Sequence, residues 1–185
     1  MRYLFNSEQE HSSCGVGFIT HKRSEQTHEL LEHAHQALCR IPHRGGFDAE
    51  GTGDGAGVNI DISLSFFRYI TGNENLELGE FGVANFFYPR KEEQHSEAER
   101  LLRNVFKQYR LNIILWRDVD VDTAALNQKS AQAQLKIHQL VFERPSNIDN
   151  QDEFERHIND ALEEIEYPAF KPSRIHCRNR HHPAL

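Results

Sequence analysis

Cysteine is scarce in this chain: three in 185 residues, an odd number and widely spaced. That pattern does not read as a disulfide framework, and it points to a soluble, reducing, cytoplasmic setting. Long apolar runs are missing too. No stretch reaches the roughly 18 residues that a membrane-spanning helix requires. The first ten residues (Met1 to Glu10) lack the basic-then-apolar order of a signal peptide. Excess positive charge is absent as well. The formal net charge of -7 repels polyanions and argues against nucleic-acid or membrane-surface binding. Twelve histidines soften that charge as pH falls through about 6.5. No internal repeat is evident.

What remains suits one domain with a real core. Residues 1–13 are polar and read as a leader. Residues 14–20, headed by Cys14, read as a compact apolar strand. A helix is expected over 25–41, with Leu30, Leu31, Ala34, Leu38 and Ile41 as one stripe, Ser24 or Thr27 as cap and Pro42 as terminator. Val58–Ile62 alternates and reads as a second strand, followed by Phe66 and Phe67 as anchors. Further strands are expected over 81–88, 111–116 and 136–142. Ser96 to Glu99 fits a capping box opening a helix with the stripe Ala98, Leu101, Leu102, Val105, Phe106 and Tyr109. Asn150 and Glu153 cap a last helix that buries Phe154, Ile158, Ala161, Leu162 and Ile165. From Pro168 the chain turns basic and histidine-rich without periodicity, and 171–185 reads as a tail outside the domain. The pattern is mixed α and β, with helices covering sheet faces.

Two stretches stand out chemically. Cys14-Gly15-Val16-Gly17-Phe18-Ile19 places a thiol beside small residues at the head of an apolar run, an approachable position. Its alternative is a small buried cysteine. His43 to Gly57 holds six of the chain's eleven glycines. Ordering so much glycine is costly, which suggests unusual backbone angles where something approaches closely. Gly51-x-Gly53-x-x-Ala56 meets a relaxed dinucleotide fingerprint. However, a helix precedes it and a strand follows, the reverse of what that motif needs. No Lys-Ser/Thr follows to complete a P-loop.

Together, the Cys-Gly-Val-Gly-Phe-Ile head, His43-Arg44-Gly45 and Thr52-Gly53-Asp54-Gly55-Ala56-Gly57 resemble the class II glutamine amidotransferase domain. The resemblance is closest to the N-terminal glutaminase domain of glutamate synthase large subunits. Trp116-Arg117-Asp118-Val119-Asp120-Val121-Asp122 is similar to that family's next recognisable stretch, and the likeness covers roughly 14–170. It implies an α+β fold, the αββα N-terminal nucleophile hydrolase sandwich of antiparallel sheets, incomplete at the C-terminus. It implies hydrolysis of glutamine to glutamate and ammonia through a thioester on Cys14. The leader 1–13 would have to be removed, because an amide nitrogen cannot serve as the base. FMN and an iron–sulfur cluster are implied only for the complete parent enzyme, with none in this chain. The implied partners are glutamine, the remainder of the large subunit, and a small subunit or electron donor.

The sequence departs from that family's pattern in its basic tail and in one further respect. No Asn-Gly dipeptide, the family's oxyanion pair, occurs in the chain. A truncated, non-catalytic remnant or binding module is therefore the alternative. Arg44 and Asp54 are candidates for substrate binding, with bracing of the glycine loop as the other reading. Cys39 reads as core filler, and His28, His33 and His35 as surface histidines. Asp118, Asp120 and Asp122 read as a solvated loop, since the glycine and terminal glutamate of a calcium-binding loop are missing. His176, Cys177, His181 and His182 match no structural zinc spacing. A small metal-binding protein using that tail is the third reading.

Overall fold

The computed structural model describes residues 15–40, 51–53 and 55–166 and the backbone of 167–169 and 176–178. The chain divides into two compact units, Met1–Ile60 and Asp61–Leu185.

The described helix of the first unit is α1 (His28–Cys39). Thr27 caps it as expected: its Oγ1 accepts from the Leu30 amide at 3.3 Å. The stripe is less buried than its spacing implies. Ala34, Leu30 and Leu38 are half-buried, and no residue of α1 is fully buried. Cys39 is exposed rather than core filler. It ends the helix beside His35, one turn back, with Sγ 3.9 Å from Nε2. His28, His33 and His35 are exposed as expected. Residues 15–20 form no strand, and neither do 58–62. Both apolar runs expected as strands stay exposed for most of their length, with Val16 and Phe18 over nine-tenths accessible.

The second unit carries the sheet. Its elements are α2 (Leu64–Thr71), β1 (Phe81–Tyr88), α3 (Glu92–Gln108), β2 (Ile113–Asp118), α4 (Gln128–Ala133), β3 (Lys136–Glu143), α5 (Gln151–Ala169) and β4 (His176–Arg178). The strands lie in the order β2-β3-β1-β4, and every pairing is antiparallel. β1 and β3 pair along their whole length, from Phe81 opposite Glu143 to Tyr88 opposite Lys136. β4 adds three residues to the outer edge of β1, where the sequence suggested no regular structure.

Strand alternation sorts the core into two. Ala84, Phe86 and Tyr88 of β1 and Leu140 and Phe142 of β3 face α3 and α5, where they meet Ala98, Leu102, Val105, Phe106, Phe154, Ile158, Ala161 and Ile165. The opposite face is smaller: Phe81 and Val141 gather with Phe67 of α2 and Leu76. Phe67 is thus an anchor, whereas Phe66 is substantially exposed. β2 serves both faces by the same alternation, but a bulge shifts its register between Ile113 and Leu115. Ile113 and Trp116 point to the helix side, Ile114 and Leu115 to the other.

The two long helices start differently. Asn150 Oδ1 accepts from the Glu153 amide at 2.9 Å, which is the expected cap of α5. α3 begins at Glu92, a turn before the Ser96 box, with no side-chain cap and with Glu92 and Glu93 in its first turn. Carboxylates there favour the helix dipole without a capping hydroxyl. Glu99, the box's acidic end, instead pairs with Arg103 one turn on, at 2.6 Å.

Two substitutions probe this frame. Gly82 lies on β1 against the ring of Phe142, and an added Cβ would sit 2.6 Å from Cε2. Gly82→Ala should destabilise the chain by about 2 kcal/mol through overpacking, read as a lowered urea midpoint. Asn150→Ala removes one cap and should cost about 1 kcal/mol in the same measurement.

Candidate functional site

The three residues singled out for the reaction, Cys14, Arg44 and Asp54, lie outside the described residues. So do His43 and Gly45 of the His-Arg-Gly element, and the tail's His181 and His182. The neighbours on the C-terminal side of Cys14 are described. Gly15 to Thr20 is exposed and free of regular structure.

The glycine loop is described around Asp54. Gly51 and Gly55 have φ of 78° and 84°. Side-chain-bearing residues rarely adopt that left-handed region, so two of the loop's glycines are there for their backbone. Among the described residues nothing lies within 4 Å of a Cβ built on Gly51, Gly55 or Gly57. These positions are therefore set by dihedral angle, or by what approaches from outside, rather than by crowding.

The Trp116-Arg117-Asp118 segment forms the end of β2, so Asp118 belongs to a strand and not to the loop after it. Alternation splits the three. Trp116 and Asp118 meet His138 of β3 on the helix side. The Trp116 indole donates from Nε1 to His138 Nδ1 at 2.7 Å. His138 Nε2 lies 2.9 Å from Asp118 Oδ1. Indole nitrogen only donates, so Nδ1 is the acceptor and the ring's proton sits on Nε2, directed at the carboxylate. Tyr88 and His95 complete a cluster of rings: His138 lies 4.7 Å from Tyr88 and 5.0 Å from His95, centroid to centroid. The Arg103 guanidinium stacks 4.1 Å above the Trp116 ring. Burial pushes the pKa of His138 below the usual imidazole value. Asp118 opposes that shift, and the neighbouring His95 adds to it.

Arg117 points the other way. Its Nε donates to Gln139 Oε1 at 2.9 Å, and Gln139 Nε2 donates to Asn85 Oδ1 at 3.1 Å. One polar row thus crosses β2, β3 and β1 on the face away from α3 and α5. Asp122 Oδ1 accepts from the Ala124 amide and shapes its own turn. Among the described residues no three His, Cys, Asp or Glu side chains converge on a metal position. They supply no ligand set for an iron–sulfur cluster. Also among the described residues, no helix is long and apolar enough to cross a membrane.

Sequence reasoning passed over His95 and His138. The signal was present: His95 stands three residues before Ala98 and seven before Leu102 on the buried stripe, and His138 alternates with Leu140 and Phe142.

Comparison with known proteins fits these motifs. Residues 14–172 match the family described as class-II glutamine amidotransferases. The chain is 30% identical over 157 residues to the glutamate synthase [NADPH] large chain of Bacillus subtilis, covering 84% of this chain and 10% of that protein. It is 31% identical over 160 residues to the chloroplastic ferredoxin-dependent glutamate synthase 2 of Arabidopsis thaliana, with 84% and 10% covered. Against the glutamate synthase [NADH] of Saccharomyces cerevisiae the identity is 30% over 133 residues, or 68% of this chain and 6% of that one. The chain therefore spans a tenth or less of the length of these relatives. With the family matched over most of its length, from Cys14 onward, the chain belongs to the class-II glutamine amidotransferases.

Proposed function

We propose that this chain is the glutaminase portion of a glutamate synthase large subunit and that Cys14 is its nucleophile. The observation that carries the reading is where the family match begins: at Cys14 itself, with residues 1–13 left outside. A thiol at that point becomes self-sufficient once it is the first residue. Its free α-amine, with a pKa of about 7.7–8.0, takes the thiol proton. The thiolate attacks the side-chain amide carbon of glutamine. The amine returns the proton to the departing nitrogen, which leaves as ammonia, and a glutamyl thioester remains. Water then attacks the thioester, releasing glutamate and restoring the thiol. Removal of the leader 1–13 is part of this proposal, since a peptide nitrogen cannot hold the proton.

Arg44 and Asp54 are proposed as bracing residues of the glycine loop, with substrate contact as their second role. The family domain is read as 14–170, and 171–185 as a segment beyond it, of which His176–Arg178 pairs back onto β1. This agrees with a family match that stops at 172. The finer architecture is the αββα sandwich. Helical cover on one sheet face, with a second apolar cluster on the other, supports it. FMN, an iron–sulfur cluster and an electron donor are assigned to the remainder of the complete enzyme, and the setting is cytoplasmic. The second reading is a binding module without catalysis.

The deciding measurement is glutamate release from glutamine by protein beginning at Cys14. Activity is expected, and Cys14→Ala should reduce it by at least about 100-fold, because the covalent route is lost. Equal rates for the two proteins would remove the nucleophile assignment and leave the binding module. Intact mass of the active species should show the chain starting at Cys14. Full activity in protein still carrying Met1 to Ser13 would overturn the maturation step.

A further inference from the structure

We propose that the Trp116–His138–Asp118 chain, together with His95, is a proton-operated latch that holds the first turns of α3 against the sheet. Its logic is in the donor pattern. His138 accepts the indole N–H at Nδ1 and faces Asp118 with Nε2, at 2.7 Å and 2.9 Å. The neutral ring satisfies both neighbours. A second proton can go only to Nδ1, where it meets an indole that has no acceptor to offer. Charging His138 therefore expels the Trp116 N–H. The protein cannot adjust by exchanging the roles of the two ring nitrogens, because Nε2 is committed to the carboxylate.

His95 ties this event to α3. It is nine-tenths buried, and its Nε2 has no hydrogen-bond partner among the described residues. Its ring lies 5.0 Å from His138 and 4.8 Å from Tyr88. A cation on His138 thus arises beside a second buried imidazole and a phenol, neither of which brings negative charge to balance it. The charged groups around the pair have been placed by the fold. Asp118 of β2 is mostly exposed and faces Nε2, the nitrogen that already carries the ring's proton. Glu99 of α3 is already engaged by Arg103 of the same helix. Lys136 of β3 adds positive charge, partly answered by Glu92 of α3 at 3.8 Å. Among the described residues Asp118 is the one carboxylate in contact with the ring, and, mostly exposed, it only partly offsets the cost of placing a charge there.

The sign follows from linkage. The folded chain resists protonation of His138, whereas the unfolded chain takes that proton at about pH 6.5. Stability is complete above that value and declines as pH falls from there toward the lower folded-state pKa, by up to about tenfold in the folding constant per pH unit for one excluded proton.

The test uses the full chain and its single tryptophan, whose indole N–H gives one proton resonance. Between pH 7.5 and 5.0 that resonance should move from a hydrogen-bonded to a free position while the chain is still folded. The folding constant from urea titration should fall over the same range. His138→Gln keeps an acceptor for the indole and a donor for Asp118 but takes no proton, so the indole response should vanish and the stability slope should lose the share of one proton. His95→Phe removes the second imidazole and should raise the midpoint of the indole transition. An indole resonance and a stability unchanged across this range would overturn the latch. So would a His138→Gln chain that retains the same slope. Should that variant fail to fold, an unmoved midpoint in His95→Phe would overturn it instead.

Discussion

One contact surface organises the larger unit: the face of β1 and β3 that carries Ala84, Phe86, Tyr88, Leu140 and Phe142 against α3 and α5. A two-stranded ribbon is barely stable in water, and a single amphipathic helix does little better. Here each supplies the apolar partner that the other lacks. Phe142 shows the interdependence. It meets Phe106 of α3 at 5.1 Å and Phe154 of α5 at 6.3 Å, both edge-on. It also presses its ring on Gly82 of the neighbouring strand. The glycine is what allows so large a side chain to lie flat over β1 and reach both helices.

This surface was legible in the chain wherever local pattern and burial agree. The strand over 81–88 stands where its alternation put it, β3 runs one residue further than expected, and the stripe of α5 is buried as its spacing implies. Legibility failed where pattern needs a distant partner to become structure. Residues 15–20 and 58–62 have the composition of strands, but composition does not supply a neighbour to pair with. α1 has a helical stripe, yet nothing on it is fully buried, and Cys39 at its end is exposed. The tail showed no periodicity, and three of its residues still pair with β1, because backbone hydrogen bonding at a sheet edge asks little of side chains. α4 is too short for any period to announce it.

The candidate site divides along similar lines. Cys14, Arg44 and Asp54 were singled out by motif, and motif is also what ties the chain to its family. The loop glycines yielded a physical reason at Gly51 and Gly55, whose backbones need positive φ. The polar interior beside β2 was not foreseen, since a histidine on an apolar stripe looks like an exception to it. In the fold the exception is shared: Trp116, His138 and Asp118 satisfy one another in series, and Tyr88 and His95 fill the space around them. Burying imidazoles this way exchanges some stability for a unique pairing, because only one arrangement of donors and acceptors closes the chain of bonds.

The bulge between Ile113 and Leu115 has a consequence for how this family segment can vary. Before it, odd-numbered residues of β2 face the helices; after it, even-numbered ones do. The extra residue is a phase marker. It sends Trp116 and Asp118 to one side and Arg117 to the other, giving three consecutive residues two separate neighbourhoods. A relative could exchange any of these side chains and keep the layout. Losing or gaining one residue at the bulge would instead swap the two neighbourhoods wholesale. In this stretch the inherited quantity is therefore a count of residues as much as their identities.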